Sequence, residues 1–538
     1  MAILLTKAGR VALARAFFAD ITNSHSYFSF TLGKTTAWPD EEAPENPLDS
    51  IRYVNNFRNN IMLTQTISSA EICHLIPRID WVSGSIYDSY NDNYTPTNTS
   101  ASGASSLAEA RFYVITDEFK VYKCIDNNAD APSTVKPTST STNTVILSDG
   151  YSWKFMFQVS ASDQTKFLDS SHVPVRKLTT GGGYGDVNGE IDSITVTAGG
   201  AGYDSLDPPT VNILGDGDGL ATATATVVGG VVTAINVVNP GSGYSFANVS
   251  FSGEGGGTGA KANVLLGDTD PNPGLQSAVE NSAIAGSLDR IEILSGGQDY
   301  TPGDVTVTIT GDGMGAEANA IIAAGSGTIT GVNITSGGTG YTFADITFTQ
   351  NVVIGTGASA RSIISPIDGH GSNPVKELFS TTVGITMSFD DNTNEDLFLN
   401  NDFRQIGLIK NIGQYEIPSS PYTLKTGSAL FVLDVDSAAS YAVDDIILTD
   451  DSGKFRVIQI RYDDTTSKYK VHLQPILPYI TNNSTLINDT KNITGLSINS
   501  VAVPEVKIST GDVVYIENRP TITRSVDQVE TIKALVNF

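Results

Sequence analysis

Five histidines, two cysteines and a scatter of adjacent acids are the residues of this chain with most chemical potential, and their spacing gives them little to do. His25, His74, His172, His370 and His472 lie far apart, none in an HExxH pattern and none beside a cysteine at ligand spacing, so no metal site is expected. Cys73 and Cys124 fall outside any CxxC pair and read as reduced thiols in half-buried strands. Neither a GxSxG elbow nor a P-loop occurs. Asp390-Asp391 and Asp463-Asp464 have the side chains a glycosidase uses, but a chain with 58 acids produces such pairs by chance. The runs Gly215–Gly219 (GDGDG) and Gly311–Gly315 (GDGMG) place carboxylates on turns, as calcium requires, yet lack the repeat of calcium β-rolls and read as turn chemistry. No cluster of mixed catalytic types emerges. The expectation is a non-enzyme with no catalytic residue, no metal and no cofactor.

The elements that would carry these residues are mostly strands. Only 17% of the 538 residues are charged, glycine is abundant (51 residues), and long helical patterns are rare. That composition predicts a mainly β, multi-domain chain with a sandwich- or barrel-like core and a short N-terminal helix. The 58 acids against 32 bases give a net charge of −26. Such a surface repels phosphate, which argues against nucleic acid and anionic membrane as partners. Lys7, Arg10 and Arg15 interrupt the apolar residues of the N-terminus, and no run approaches the roughly 18 apolar residues of a membrane span. A soluble protein made in a reducing cytoplasm is expected.

Taken in order, Leu4, Leu5, Ala8, Val11, Ala12, Phe18 and Ile21 predict a helix over Leu4–Phe18. A strand at Tyr27–Leu32 follows, then a Pro-rich acidic loop, Pro39–Pro47, and a second helix over Leu48–Asn59 with Asn46 as its cap. Strands are expected at Ile72–Trp81, in a hairpin of Arg111–Thr116 with Phe119–Ile125, and after the turn that opens Asp149–Val159, whose alternating aromatics suggest a half-buried face. Asp88–Ser106 and Asn127–Asn143 read as loops.

At Gly181-Gly182-Gly183 the composition changes, and between there and Ile364 one phrase occurs four times: Ile194–Tyr203, Ile235–Tyr244, Ile291–Tyr300 and Val332–Tyr341. Each copy is a β-type run, a glycine turn and a tyrosine, followed by a second alternating stretch rich in small residues. Gly200, Gly241, Gly297 and Gly338 hold the seventh place, where a positive φ would require glycine. Tyr203, Tyr244, Tyr300 and Tyr341 most simply pack across the turn. One copy cannot bury enough surface alone, so neighbours must share a core. The longer interval between the second and third copies falls in Asp268–Ser287, a proline-containing linker. The domain reading is therefore residues 1–180, a first repeat pair at 181–267, the linker at 268–287, a second pair at 288–364, and residues 365–538. Beyond Ser365 the residue pattern of 1–180 resumes, with strands such as Val375–Phe389, Phe403–Lys410, Ala429–Val435 and Val513–Glu517.

The residues flanking the repeats carry a resemblance. Gly511-Asp512-Val513-Val514-Tyr515-Ile516-Glu517-Asn518-Arg519-Pro520, followed by Ile522, Asp527, Gln528, Glu530, Ile532 and Phe538, closely resembles the end of the baseplate wedge subunit, the gene 8 product, of T-even-like contractile-tailed bacteriophages. Ile76-Pro77-Arg78 with Asp80-Trp81, Val121-Tyr122 with Cys124, Asp149-Gly150-Tyr151 with Trp153, and Phe403-Arg404-Gln405-Ile406 match in the same order. The resemblance covers residues 1–180 and about 365–538, and the repeats have no counterpart in it.

What the resemblance implies is a non-enzymatic, mainly β structural protein of the virion tail baseplate, assembled in the host cytoplasm. It would be a homodimer linking the wedge core to peripheral wedge, tail-pin or fibre proteins. Glu517, Asn518, Arg519 and Pro520 then form a candidate structural or interface motif, with Arg519 as able to anchor a turn through Glu517 as to touch a partner. The repeats are expected to project as a satellite that docks or spaces neighbours. The alternative is a tail-fibre or receptor-binding protein whose repeat tyrosines stack on host-surface glycan.

Overall fold

The computed structural model describes residues 5–22, 27–68, 71–177, 190–215, 219–241, 244, 247–252, 257–267, 273–350, 355–389, 402–424, 426–437, 441–449, 453–463, 466–477, 485–488, 493–497, 500–522 and 530–538. It is mainly β, with antiparallel sheets and few helices. Gly181-Gly182-Gly183, Asp390-Asp391, Asp464 and the centre of Gly215–Gly219 lie outside the described residues.

Helix α1 (Lys7–Thr22) buries Val11, Ala14, Phe18 and Ile21, a stripe at helical spacing. Ala8 and Ala12, expected on that stripe, face solvent. Helix α2 (Ile51–Asn60) starts later than expected, because Ser50 rather than Asn46 is the cap: its Oγ accepts from the Tyr53 N–H at 3.2 Å. Asn46 lies four residues ahead of this cap, and beside it the Glu45 carbonyl accepts a bond from Asn518 across the fold.

The flanks form one interleaved body. Strands β1 (Phe28–Gly33) and β2 (Ile61–Thr66) precede the repeats, yet their sheet also holds three strands that follow them, in the order Thr426–Ser428, β2, β1, Phe403–Lys410, Asp512–Ile522. A second sheet does the same: β3 (Ile72–Pro77) lies between Thr382–Phe389, which pairs in turn with Glu530–Asn537, and the strand His172–Val175. Phe28, Phe30, Leu32 and Leu408 of the first sheet share a buried core with Ile72, Ile385, Met387 and Ile532 of the second, closed by Phe18 of α1. Fully burying each such side chain is worth roughly 1.5–3 kcal/mol. A further seven-stranded sheet in the C-terminal flank packs Phe431, Leu433, Val457, Val471 and Leu473.

The expected hairpin forms from β4 (Tyr113–Ile115) and β5 (Lys120–Asp126); beyond it come β6 (Val145–Ile146) and β7 (Ser152–Gln158), which completes the sheet. β7 is buried on both faces, not one, with Lys154 and Met156 covered as fully as Trp153, Phe155 and Phe157. Asp88–Ser106, read as a loop, turns inward at its start: Asp88, Ser89, Tyr90 and Asn91 are buried, as is Tyr87 before them. Asp88 is held there by N–H groups of Ser102 and Arg111 at 2.8 and 2.6 Å. Cys73 and Cys124 are free thiols, both wholly buried rather than half-buried. A short helix α3 (Ala161–Lys166) and β8 (His172–Val175) lead to the repeats.

Each repeat copy is three strands. Copy one is β9 (Glu190–Ala201), β10 (Thr210–Gly215) and β11 (Thr222–Val228); copy two is β12 (Val231–Asn239), β13 (Ala247–Ser252) and β14 (Thr258–Gly267). After helix α4 (Pro273–Asn281), copy three is β15 (Leu288–Gln298), β16 (Val305–Gly311) and β17 (Met314–Ile322), and copy four is β18 (Ile329–Thr339), β19 (Ala344–Gln350) and β20 (Thr356–Ile364). Within each pair the copies exchange strands. The first strand of one pairs with the third of the other, as in β9 with β14 (Ile194↔Val264), β11 with β12 (Ala225↔Ile235), β15 with β20 (Ile293↔Ala360) and β17 with β18 (Ala318↔Ile334). The second strands pair with each other, β10 with β13 and β16 with β19. Each pair is thus a small six-stranded unit around its own thin core of Ile, Val, Ala and Tyr.

Candidate functional site

The repeat turns have one recurring geometry. Gly200, Gly241, Gly297 and Gly338 all have positive φ, between +61 and +67°. At Gly297 a Cβ would lie 2.4 Å from the Thr356 carbonyl oxygen and 2.6 Å from the Ala358 nitrogen, so the partner strand also excludes a side chain. In three of the turns the following tyrosine folds back over that glycine and its hydroxyl accepts an N–H from the opposite copy: Tyr203 from Ala260 at 3.2 Å, Tyr300 from Ala358 at 3.3 Å, Tyr341 from Ala316 at 3.4 Å. Tyr244, Tyr300 and Tyr341 are buried and Tyr203 is half-buried. In Gly311–Gly315 the Asp312 carboxylate accepts from the Thr342 hydroxyl and from the N–H groups of Thr342 and Phe343. These bonds, the hydroxyl's first, hold its pKa down at about 2 and use the oxygens a cation would need.

The C-terminal motif lies on the strand Asp512–Ile522, where it joins the flanks. Arg519 Nε donates to Glu517 Oε1 at 2.7 Å, and the Arg519 carbonyl accepts from the Trp38 indole at 2.9 Å. Asn518 stands opposite Gln405 in the ladder; its Oδ1 accepts from Gln405 at 2.8 Å and its Nδ2 donates to the Glu45 carbonyl and the Tyr53 hydroxyl. Pro520 is exposed. Arg404, beside Gln405, bonds to Glu41 and to the Thr35 carbonyl, both at 2.7 Å. The motif therefore clamps the loop between β1 and α2 onto the C-terminal flank, and three of its four residues spend their polar groups inside the chain.

The second repeat unit is fastened to the flanks. Helix α4, in the segment read as a linker, buries Val279 among Tyr87, Tyr122, Trp153 and Phe155. Gln276 bonds to the Arg176 carbonyl at 2.9 Å, and Lys177 meets Glu280 at 2.5 Å. Arg290 donates to the carbonyls of Tyr90 and Ile125 and to the Ser89 hydroxyl, and Arg361 pairs with Asp92. Ile363 is wholly buried in a cluster with Ile76, Phe112 and Val375. The expectation of a projecting satellite fails for this half of the block, because its polar and apolar residues both have partners in the flanks.

At this junction the fold assembles four residues that sequence spacing leaves unconnected. Lys123, on β5, has a fully buried side chain; its Nζ lies 3.0 Å from Glu377 Oε2 and 2.8 Å from His370 Nδ1. His370 Nε2 is 2.6 Å from Oδ2 of Asp289, at the start of β15. The Gly371 N–H donates to both Glu377 oxygens, and the Asn373 N–H donates to Oε1 at 3.0 Å. Glu377 ends helix α5 (Pro374–Glu377), which Asn373 caps. The Tyr90 ring covers the ammonium at 4.3 Å and stands edge-on to His370. Burial lowers the pKa of Lys123 and of His370, against the attraction of Glu377 and Asp289 respectively. The tautomer that satisfies both neighbours of His370 carries its hydrogen on Nε2 and offers Nδ1 to Lys123. The expectation that no cluster of mixed catalytic types exists is thereby corrected. With Asp289 and His370 side chains 9% exposed and Glu377 4%, the cluster is closed to an external substrate. Among the described residues no three or more His, Cys, Asp or Glu side chains are placed so that they could hold a metal ion. No sequence signal marked the cluster, since its members come from three regions and only packing unites them.

Neither protein-family models nor curated protein sequences give a match to the chain.

Proposed function

We propose that the chain is a structural, non-enzymatic subunit of the baseplate wedge in a contractile phage tail, acting as a homodimer between the wedge core and peripheral proteins on the tail-pin or fibre side. The observation that carries the reading is the resemblance in the flanks together with where its pieces lie. Phe403-Arg404-Gln405-Ile406 and Glu517-Asn518-Arg519-Pro520 occupy neighbouring strands and close on Trp38, Glu41 and Tyr53 of the N-terminal flank. Residues that match across a long interruption thus serve one interior, as the parts of a single inherited core would.

The glycan-binding alternative drew on exposed repeat tyrosines. Three of those rings are buried and the fourth is half-covered, which leaves that reading without its motive. Gold-labelled antibody against the chain, imaged on intact and contracted tails, tests the proposal. Label within the baseplate ring supports it, and label confined to fibre tips would refute it. Light scattering of the purified chain should give twice the monomer mass.

A further inference from the structure

We propose that Lys123 and Glu377 become joined, within the folded chain, by an intramolecular isopeptide bond. The amine and the carboxyl are already in contact at 3.0 Å and shielded from water. A dry site favours condensation, because a neutral amide replaces two buried charges that are costly to keep.

Each further requirement of acyl transfer has a residue in place. His370 Nδ1, 2.8 Å from Nζ, is positioned to take a proton from the attacking amine, with Asp289 orienting the ring through Nε2. Glu377 Oε1 accepts from the N–H groups of Gly371 at 2.9 Å and Asn373 at 3.0 Å, two fixed donors for the charge that develops on that oxygen. Oε2, which shares the Gly371 N–H at 3.0 Å, lies 4.0 Å from His370 Nδ1, near enough to receive a proton from it as the leaving oxygen. Tyr90 and Phe112 exclude solvent above the amine.

The step balances without an added reagent. A proton passes from the Lys123 ammonium to the Glu377 carboxylate, giving amine and carboxylic acid. Nζ forms a bond to Cδ while one of its protons goes to His370 Nδ1, and the charge gathers on Oε1. His370 then returns that proton to the departing Oε2 hydroxyl, the Cδ–Oε2 bond breaks, and one water leaves. An ammonium and a carboxylate have become an amide and a water.

The bond would tie β5 of the N-terminal flank to α5 of the C-terminal flank and so enclose the whole repeat block in a covalent ring. The test is the denatured mass of the full-length chain, followed by protease digestion and sequencing of the peptides. The expected result is a mass one water below that of the sequence, and a branched peptide containing both Lys123 and Glu377. His370→Ala, which keeps both bonded residues, should slow formation of the branched peptide by roughly 10²-fold or more. A wild-type chain at full mass, with Lys123 and Glu377 in ordinary linear peptides after prolonged incubation, overturns the proposal and leaves an ion pair. A linked wild type and an H370A variant that links equally fast would uphold the bond and overturn the role given to His370. The wild-type measurement decides even if the variant does not fold.

Discussion

Arg290, in the first strand of the second repeat unit, donates to the Tyr90 carbonyl at 3.0 Å, and the same guanidinium serves Ile125 and Ser89. A planar fork reaching three acceptors is a geometry that lysine cannot copy. Arg290→Ala should cost about 1.5–3 kcal/mol, the range for hydrogen bonds to a charged group. Arg290→Lys should recover little of it. Urea unfolding of the three proteins checks both statements, and an unchanged midpoint in R290A would show that the junction is held by packing alone.

Acid should weaken the fold before the carboxylates titrate. His74 is buried on β3, stacked on Phe18 at 4.6 Å, and burial pushes its pKa from 6.5 down to about 3. The unfolded chain therefore binds a proton that the folded chain refuses. The stability due to neutral His74 is complete above pH 6.5 and erodes as pH falls from there towards 3. Thermal midpoints should drop between pH 6.5 and 5, and His74→Phe should flatten that part of the profile. An equal slope in the variant would assign the effect to other groups, His472 first among them, since its pKa is lowered to about 4.

The glycine-tyrosine turns separate conformational from bonding contributions. Gly297→Ala meets both a positive φ and backbone atoms of the opposite copy, so a loss of at least about 1–3 kcal/mol is expected. Tyr300→Phe removes only the bond to the Ala358 N–H and should cost about 0.5–1.5 kcal/mol. Calorimetry of the two variants should rank them in that order; the reverse order would mean that the turn relaxes easily.

The two repeat units should differ in how well the flanks tolerate their loss. Excising residues 186–270 behind a short glycine bridge removes the first unit and leaves α4, Asp289, Arg290 and Ile363 in place. That protein is expected to stay soluble and keep its melting temperature within a few degrees. Excision through Arg361 also removes Val279, Asp289 and Arg290, and exposes Tyr87, Tyr122 and Trp153, so aggregation is expected. Comparable solubility of the two deletions would contradict the tight docking of the second unit.

Much of the fold was legible because it rests on local signals. The helix stripe at Val11 and Phe18, the hairpin around Asp117-Glu118 and the mainly β character follow from periodicity and turn residues. What escaped was decided by distant partners. Asn46 and Ser50 are equally good caps by type, and the sequence does not say that the chain turns helical only after Ser50. Strand β7 reads as half-buried because its aromatics fall on alternate positions, yet the ammonium of Lys154 between them finds the Thr142 carbonyl and the strand is covered on both sides. The helix in the linker was hidden by the two prolines at its start, Pro271 and Pro273, and Val279 is apolar without announcing what it meets. The cluster of Lys123, Asp289, His370 and Glu377 was invisible for the same reason: each is an ordinary residue in its own stretch.

The exchange of strands within each repeat pair also bears on how such a block can change in length. A single copy leaves its first strand to a partner and holds its third along one edge only, as in β11 against β10 and β20 against β19. Gain or loss of one copy would leave four strand edges unsatisfied and a thin core open on one side. Gain or loss of two would leave every strand paired. Change in this region is therefore expected to favour even numbers of copies, with an odd count found where another chain completes the set.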